Sequence, residues 1–471
     1  MSIMEKFDVI VIGAGPGGYP AAIRVAQLGK IVAIVEREQL GGTCLNWGCI
    51  PTKQFISAAE LYHSMLHAER FGIKSGPVAL NYSELVKQKD RTVAKLRGGV
   101  GQLLKANNVK VFNGSAAFQS PERLIITSPG GESIELTADK FIIATGSTSL
   151  VPDAFPKHER IVESRGFLNS TELPEEILVI GGGYIGCELA GMVAQLGSKV
   201  TIVEMQEDIL LSFDSDIRRE VRRYIESALG IRVLTGHPLT DVRADADGVS
   251  GMCGGIEIQS DLAIVAIGRR PVTDGLALEN AGLSTNTKGF IEVNEFGQTR
   301  VPTIYAIGDV NGGPQLAHAA TSQGIIAAES ACGNASGVFE TLVPGVVFTS
   351  PEVGIVGLSE EAARRQGLAV RVGKFPFAAL GRSIATSNAV GFAKWIADER
   401  TDVLVGAAVV GTHATDLIAE AALAIRSKLK ATDVGTTVHA HPTFGEIWME
   451  AAHAAHGVAI HAPPVRKPRA A

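Results

Sequence analysis

The stretch GGTCLNWGCIPTK, Gly41 to Lys53, places Cys44 and Cys49 with four residues between them. So close a pair can hold a metal, staple a loop or carry electrons. A metal site needs two further ligands at suitable spacing. Cys187, Cys253 and Cys332 are scattered and no histidine lies nearby in sequence, so no metal is expected. A disulfide closing so short a loop removes little entropy from the unfolded chain. Redox work is the favoured reading, because a short loop keeps both sulfurs in reach in either oxidation state. Pro51 after Ile50 predicts a helix that begins near Cys49. A thiolate beside a helix N-terminus has a lowered pKa and is more reactive. Lys53 falls one turn further on, on the same face. Taken alone it reads as a solvent lysine. The three remaining cysteines read as small buried apolar residues.

Dithiol oxidation needs a base, because the thiolate is the nucleophile. Near the other end, VHAHPTFGEIWMEAAHAAHG offers His439, His441 and Glu446. His441 can shuttle the thiol proton while Glu446 orients its ring. Glu446 has a competing use, since Thr443 and Glu446 also fit a capping box with Thr443 as N-cap. His439 reads as structural.

Two copies of one pattern must position these groups. FDVIVIGAGPGGYPAAIRVAQLGKIVAIVE reads as strand, glycine turn, helix and strand, with Gly13, Gly15, Gly18 and a closing Glu36. ILVIGGGYIGCELAGMVAQLGSKVTIVE repeats every element 168 residues later, with Gly181, Gly183, Gly186 and Glu204. A lone G-x-G-x-x-G is weak. Here each copy follows a strand, opens a helix and ends a second strand on an acid, which is a dinucleotide fingerprint. The glycines let backbone approach a pyrophosphate, and the helix N-terminus supplies N–H groups and positive dipole. Pro20, early in the first helix, is tolerated there. Two nucleotide sites around one dithiol suggest an electron relay between a flavin, a nicotinamide and a disulfide.

Composition fits this picture. A chain of 471 residues suggests two to four domains, and 46% hydrophobic residues can build several cores. A net charge of -6 with no charged block in the body argues against nucleic acid as a partner. No signal peptide or uninterrupted apolar span is visible, so no membrane association is expected and a cytoplasmic location is. There, paired cysteines are more often catalytic than structural.

GGTCLNWGCIPTK, the two fingerprints, TIYAIGDV and the near-terminal HAHPTFGE together resemble the pyridine nucleotide–disulfide oxidoreductases, from Phe7 to about His461. Within that family the likeness is to the dihydrolipoamide dehydrogenase branch. The resemblance implies an α/β fold of two Rossmann-like units, for FAD and NAD, and a C-terminal α+β dimerisation domain. It divides the chain into 1–150 for FAD, 151–272 for NAD, 273–343 returning to the flavin region, 344–460 at the interface and a flexible tail, 461–471. Gly13, Gly15, Gly18 and Glu36 would hold the adenosine and pyrophosphate of FAD, and Ala116 would meet its adenine. Thr145, Gly146 and Ser147 would line the flavin site. Asp309 would accept from the ribityl chain, and Gln315, Leu316, Ala317 and His318 would pass beside the ring. Gly181, Gly183, Gly186, Glu188, Glu204 and Gly268 would bind NAD, with Leu239 near its adenine. Val272 stands where the family usually has Asn, which leaves local loop contacts open.

By the same resemblance, Cys44 is the interchange thiol and Cys49 lies against the flavin. Lys53 pairs with Glu188 near the flavin, and the His441–Glu446 base reaches the site from the other subunit of a homodimer. The implied substrate is dihydrolipoamide on a lipoylated acyltransferase (E2) or other lipoyl carrier protein. Another NAD(P)H-dependent disulfide reductase of the family is the alternative enzyme. Glu204 argues against the NADPH-linked glutathione type, and the absence of a Cys-Cys tail against a mercuric reductase. From a different class, a mainly docking role in a multienzyme complex would be additional to an intact dithiol and base.

Glu204 generates a direct expectation, because a carboxylate there repels a 2′-phosphate. The unmodified protein prefers NAD, and Glu204→Arg weakens NAD while improving NADP in steady-state kinetics. Equal use of both cofactors by the unmodified protein would contradict it.

Overall fold

The computed structural model describes residues 5–335 and 337–463; residues 464–471 of the expected tail lie outside them. Glu5–Ile12 is a strand that is buried from Val9 onward. Both faces are covered, so its sequence is a continuous apolar run and not an alternation. It ends at Gly13, whose φ of 102° lies in the left-handed region. There the chain turns sharply into the helix Gly18–Gln27 and returns as the fully buried strand Val32–Glu36. The two strands run parallel, with Val9 opposite Val32.

The first sheet has seven strands. Lys110–Asn113, Val32–Glu36, Glu5–Ile12, Ser133–Ile143, Arg123–Thr127 and Ser115–Ser120 lie in that order. A late strand, Ile304–Ala306, also pairs in parallel with Phe141–Ile143, so the chain comes back to this sheet after a long excursion.

The excursion builds a second parallel sheet, ordered Arg232–Thr235, Lys199–Glu204, Glu176–Ile180, Leu262–Val265 and Ile161–Glu163. A three-stranded antiparallel sheet from Leu239 to Ser260 covers one side. Where the chain leaves and re-enters the first unit, Ser147–Ser149 and Arg269–Pro271 pair antiparallel. A C-terminal antiparallel sheet follows, ordered Gly345–Val347, Val353–Gly357, Leu404–Val410, Phe392–Asp398 and Val370–Pro376. The helices Ala414–Arg426 and Glu446–Ala455 pack on it around Trp395 and Trp448. The fold class read from the sequence is observed: two Rossmann-like units and an α+β C-terminal unit. Among the described residues no helix is long and apolar enough to cross a membrane.

Two local expectations need correction. The last helix begins at Glu446 with Gly445 as its cap, so Thr443 is not the N-cap. Its hydroxyl donates instead to the Ala440 carbonyl at 2.8 Å. Cys187 and Cys253 are buried as expected, but Cys332 is only half-buried, just past the helix Ala317–Ala331.

The second unit meets the C-terminal unit at a buried charge. Lys394 Nζ lies 2.8 Å from Asp214 and 3.0 Å from Asp216, and its side chain is only 1% exposed. Asp214 also accepts the N–H groups of Glu360 and Glu361 at 2.9 and 3.1 Å. Burial opposes the charge on both aspartates, but Lys394 outweighs it and holds both carboxyls below their usual range. Burial likewise opposes the ammonium, and the aspartates outweigh it and raise Lys394. Removing one partner of such a pair leaves an uncompensated buried charge. Lys394→Ala is expected to cost about 3–5 kcal/mol in denaturant unfolding at pH 7. The depressed aspartates lose this contribution as pH falls below the ordinary carboxylate range near ~4, and the raised lysine loses it above ~10. A variant as stable as the parent would show that the cluster carries no stability.

Candidate active site

The cysteine stretch is laid directly on the first glycine turn. Gly41 N–H donates to the Ala14 carbonyl at 2.8 Å. A Cβ at Gly42 would stand 2.6 Å from Gly15 Cα. Gly42, with a φ of 58°, thus lets two backbones touch, and the contact fixes where Cys44 falls. Cys44 is the third residue of a short helix, Gly42–Trp47, and Cys49 opens the long helix Cys49–Leu66. That helix buries Pro51, Thr52, Phe55, Ile56 and Ala59, an apolar stripe at helical spacing.

The two thiols are free and unlike. Cys44 is pushed far up, because it donates a hydrogen bond to Cys49 and is buried. Cys49 is lowered, because it accepts that hydrogen bond and because Lys53 offsets the burial that opposes its charge. Of the two, Cys49 is therefore the thiol that ionises more readily. The helix N-terminus at Cys49 favours the same polarity.

Lys53 is not a solvent lysine. Its Nζ lies 2.8 Å from Glu188 Oε2 and 4.2 Å from the centre of the Phe348 ring. The other oxygen of Glu188 accepts the Phe348 N–H at 2.9 Å. Sequence reading missed Phe348, whose partner is 160 residues away.

The repeat recurs in its hydrogen bonds. Ala14 and Glu38 donate N–H groups to the two oxygens of Glu36, each at 2.8 Å. Gly182 and Gln206, each 168 residues on, donate to the two oxygens of Glu204 at 2.7 and 2.8 Å. The crowding is duplicated too. A Cβ at Gly18 would lie 1.8 Å from the Gly13 carbonyl oxygen, and one at Gly186 2.0 Å from that of Gly181. Only glycine leaves the turn this tight and its N–H groups open. Beside Gly15 and Gly183 a Cβ would find only Gly42 Cα, at 3.9 Å, and open space, respectively. Each carboxylate oxygen has lone pairs left for a ribose hydroxyl. Both sockets therefore fit the phosphates and ribose of a dinucleotide.

The second socket opens into a cavity of about 380 Å³ lined by Gly182, Gly183, Tyr184, Glu204, Gln206 and Asp208. No basic side chain lines it, and Asp208 is paired outside it with Arg218 and Arg222. A 2′-phosphate would find no cation there.

Of the residues expected around a flavin, Thr145, Gly146, Ser147 and Asp309 form one connected group with Arg269 and Val272. Ser147 Oγ donates to Asp309 and accepts from Arg269 Nε at 2.7 Å, while a second Arg269 nitrogen reaches the Ser147 carbonyl at 2.7 Å. Thr145 Oγ1 donates to the Val272 carbonyl at 2.6 Å, and Val272 N–H returns to the Gly146 carbonyl at 2.9 Å. Val272 makes these loop contacts through its backbone, so the departure from Asn leaves them intact. Arg269, in AIGRRP, went unnoticed because two adjacent arginines look alike in sequence. Gln315 and Leu316 lead into the helix that begins at Ala317, and His318 Nε2 lies 2.8 Å from the Pro344 carbonyl. Ala116 follows Gly114, whose N–H donates to the Glu36 carbonyl at 2.9 Å. Gly268, with φ 139°, accepts from the Leu150 N–H at 3.0 Å. Leu239 stands apart, with its side chain buried among Leu178, Ile180 and Val203.

His441 Nδ1 lies 2.8 Å from Glu446 Oε1, and the second oxygen accepts the Thr443 N–H at 2.8 Å. Glu446 therefore serves both the ring and the start of its helix. Burial opposes its charge, but the Thr443 N–H and His441 outweigh that and hold the carboxyl low. The carboxylate keeps the proton on Nδ1 and leaves Nε2 as a base. The His441 side chain is 76% exposed, and among the described residues no hydrogen bond or ion pair links it to either cysteine. His439 is turned inward, between the Thr437 carbonyl and Glu420.

Comparison with known proteins places these features in a lineage. Residues 7–324 match the profile of the pyridine nucleotide-disulphide oxidoreductases, and residues 343–452 match the dimerisation domain of the same family. A dihydrolipoyl dehydrogenase of Thermus scotoductus is 45% identical over 97% of this chain and 99% of its own length. One from Geobacillus stearothermophilus is 42% identical over 96% and 97%. Among solved structures, LpdA from Mycobacterium tuberculosis superimposes with a TM-score of 0.89 at 26% identity, covering 96% of this chain and 99% of that one. The HOCl-induced flavoprotein disulfide reductase RclA of Escherichia coli gives 0.87 at 28% identity, covering 95% and 99%. With a dithiol on one glycine turn, a second turn of the same build and both domain profiles matched in order, the chain belongs to the pyridine nucleotide-disulphide oxidoreductases.

Proposed function

We propose that this chain is a cytoplasmic, NAD-linked dihydrolipoyl dehydrogenase, working as a homodimer on lipoyl groups carried by a lipoylated acyltransferase or another lipoyl carrier protein. The observation that carries the reading is the unequal dithiol at the start of a helix: Cys49 opens Cys49–Leu66 and is lowered, Cys44 is pushed up, and Lys53 stands one turn on, paired with Glu188 at 2.8 Å. Such a pair exchanges disulfides at one sulfur and stores a thiolate at the other. The dihydrolipoyl dehydrogenases that match this chain over nearly their whole length support the choice of dihydrolipoyl groups.

FAD and NAD are the cofactors; when bound, they would supply two-electron redox chemistry to the dithiol and hydride acceptance, respectively. Gly13, Gly15, Gly18, Glu36, Ser147 and Asp309 would hold the first, and Gly181, Gly183, Gly186 and Glu204 the second. The cycle begins with the two cysteines joined. His441 Nε2 takes the proton of one substrate thiol, and the thiolate attacks Cys44 Sγ. The Cys44–Cys49 bond breaks and its electron pair stays on Cys49, where the helix N-terminus and Lys53 stabilise it. The second substrate sulfur then attacks the first, releases Cys44 and closes the oxidised lipoyl ring. Of the two substrate protons, the first leaves through the imidazole to solvent, and the second, taken by the same imidazole as the second sulfur attacks, ends on the departing Cys44. Glu446 keeps the ring in the tautomer this needs.

The outward-turned His441 supports an active site shared between subunits, with the base of one chain serving the cysteines of the other. Loss of a general base typically lowers turnover by a factor of ~100 to 10,000. His441→Gln is expected to fall at least that far in dihydrolipoamide oxidation while keeping its flavin, and Glu446→Gln to fall less. Under subunit exchange, inactive Cys44→Ser and His441→Gln chains form dimers with one site intact, so activity recovers toward half of normal per mixed dimer. Verified mixed dimers that stay inactive would place base and dithiol in one chain.

A further inference from the structure

The six-residue helix that carries Cys44 is too short to be stable alone. It needs outside support, and part of that support comes from the second unit. Arg165 lies in the helix Ser164–Leu168, which directly follows Ile161–Glu163, the edge strand of the second parallel sheet. Its guanidinium carbon sits 3.8 Å from the centre of the Trp47 ring, a stacking contact. One of its nitrogens is also 2.9 Å from Glu38 Oε2. Trp47 is the last residue of the Cys44 helix and lies three positions from Cys44, on the same face. Glu38 is itself tied, since its N–H donates to Glu36 at 2.8 Å. Arg165 thus holds the end of the redox helix and the loop that precedes it.

The anchor is firm at both ends. Glu163 caps the Arg165 helix by accepting the N–H groups of Arg165 and Gly166 at 2.9 and 3.0 Å, and it accepts the Ser149 hydroxyl at 2.9 Å. At the other end, Lys89 is buried and donates to the Leu168 carbonyl at 3.1 Å, a cation on the C-terminus of the helix. Lys89 belongs to the helix Tyr82–Ala106 of the first unit. From that same helix Arg97 reaches Asn46, the neighbour of Trp47, at 3.4 Å.

We propose that Arg165 is a positioning residue, which clamps the Cys44 helix to the edge of the NAD-side sheet through the Trp47 stack and the Glu38 ion pair. It touches neither cysteine and acts through Trp47. The second unit has other ties to the body of the molecule, at Lys53–Glu188 and Lys394–Asp214. Releasing Arg165 therefore loosens the short helix and not the unit. The step that depends on Cys44 suffers, while hydride exchange at the nicotinamide does not. This role rests on Cys44 being the interchange thiol.

The test uses the flavin-loaded protein reduced anaerobically, with Cys44 labelling by iodoacetamide followed by peptide mass spectrometry. A stacked cation that is partly exposed is worth a several-fold change in rate or equilibrium. Arg165→Ala is expected to label at Cys44 roughly 2- to 5-fold faster. In stopped flow, its reduction by dihydrolipoamide should slow by a similar factor while reduction by NADH keeps its rate. Arg165→Lys, which keeps the charge facing Glu38 and loses the planar stack, should lie between Arg165→Ala and the parent. Parental labelling of Cys44 in both variants overturns the proposal, as does an equal loss in the two half-reactions. Iodoacetamide reports on Cys44 whether or not dihydrolipoyl groups are the substrate. A chain with altered labelling but no dihydrolipoamide activity would therefore refute the proposed substrate and leave the clamp standing.

Discussion

One carboxylate joins the three parts of this molecule. Glu188 belongs to the helix of the second glycine turn, binds Lys53 of the cysteine helix with one oxygen, and takes the Phe348 N–H of the C-terminal segment with the other. The pair is mostly shielded, with Lys53 30% and Glu188 11% exposed. Removing either partner would leave the other charge poorly compensated. The ammonium that favours charge on Cys49 is thus held beside it only when all three segments are in place. Redox chemistry and tertiary assembly share one contact, and a loosened assembly would lose the thiolate with it.

Around that contact the chain uses one socket twice. Each closing glutamate is held by two backbone N–H groups, so its orientation is set before any ligand arrives. What separates the two sockets is what lies next to them. The first receives the cysteine loop, pressed on Gly15 by Gly42. The second opens on a cavity with acidic and neutral walls. The same backbone geometry can therefore serve one tightly enclosed group and one exchangeable ligand.

The parts of this design that depend on local chain geometry were legible in the sequence. The glycine turns, the helix opening at Cys49 and the imidazole–carboxylate pair all lie within a few residues of one another, and spacing alone restricts them. The capping-box reading of Glu446 was close, because that carboxylate does accept the Thr443 N–H; only the helix start differs. Contacts between distant segments were not legible. Phe348, Arg269, Lys394 and Arg165 each act on residues more than a hundred positions away. Nothing in their own neighbourhood marks them. Lys394 sits inside a strand of apolar neighbours, where a lysine looks like an error until Asp214 and Asp216 face it. Val272 shows the opposite case: its side chain departs from the family habit, but only its backbone is used in the loop.

The tryptophans carry a different consequence. The chain has three. Trp395 and Trp448 are fully buried in the C-terminal core, 4.6 Å apart, and each indole N–H is bonded to a carbonyl. Trp47 alone stands between the two cysteines, under a guanidinium. In optical terms the molecule carries two separate chromophore sites: a dry pair inside the C-terminal core, and a single half-buried ring under the Arg165 guanidinium at the end of the Cys44 helix. The emission of the intact protein is therefore the sum of a core signal and a signal from the clamp between the two units, separable by wavelength and by access to quenchers.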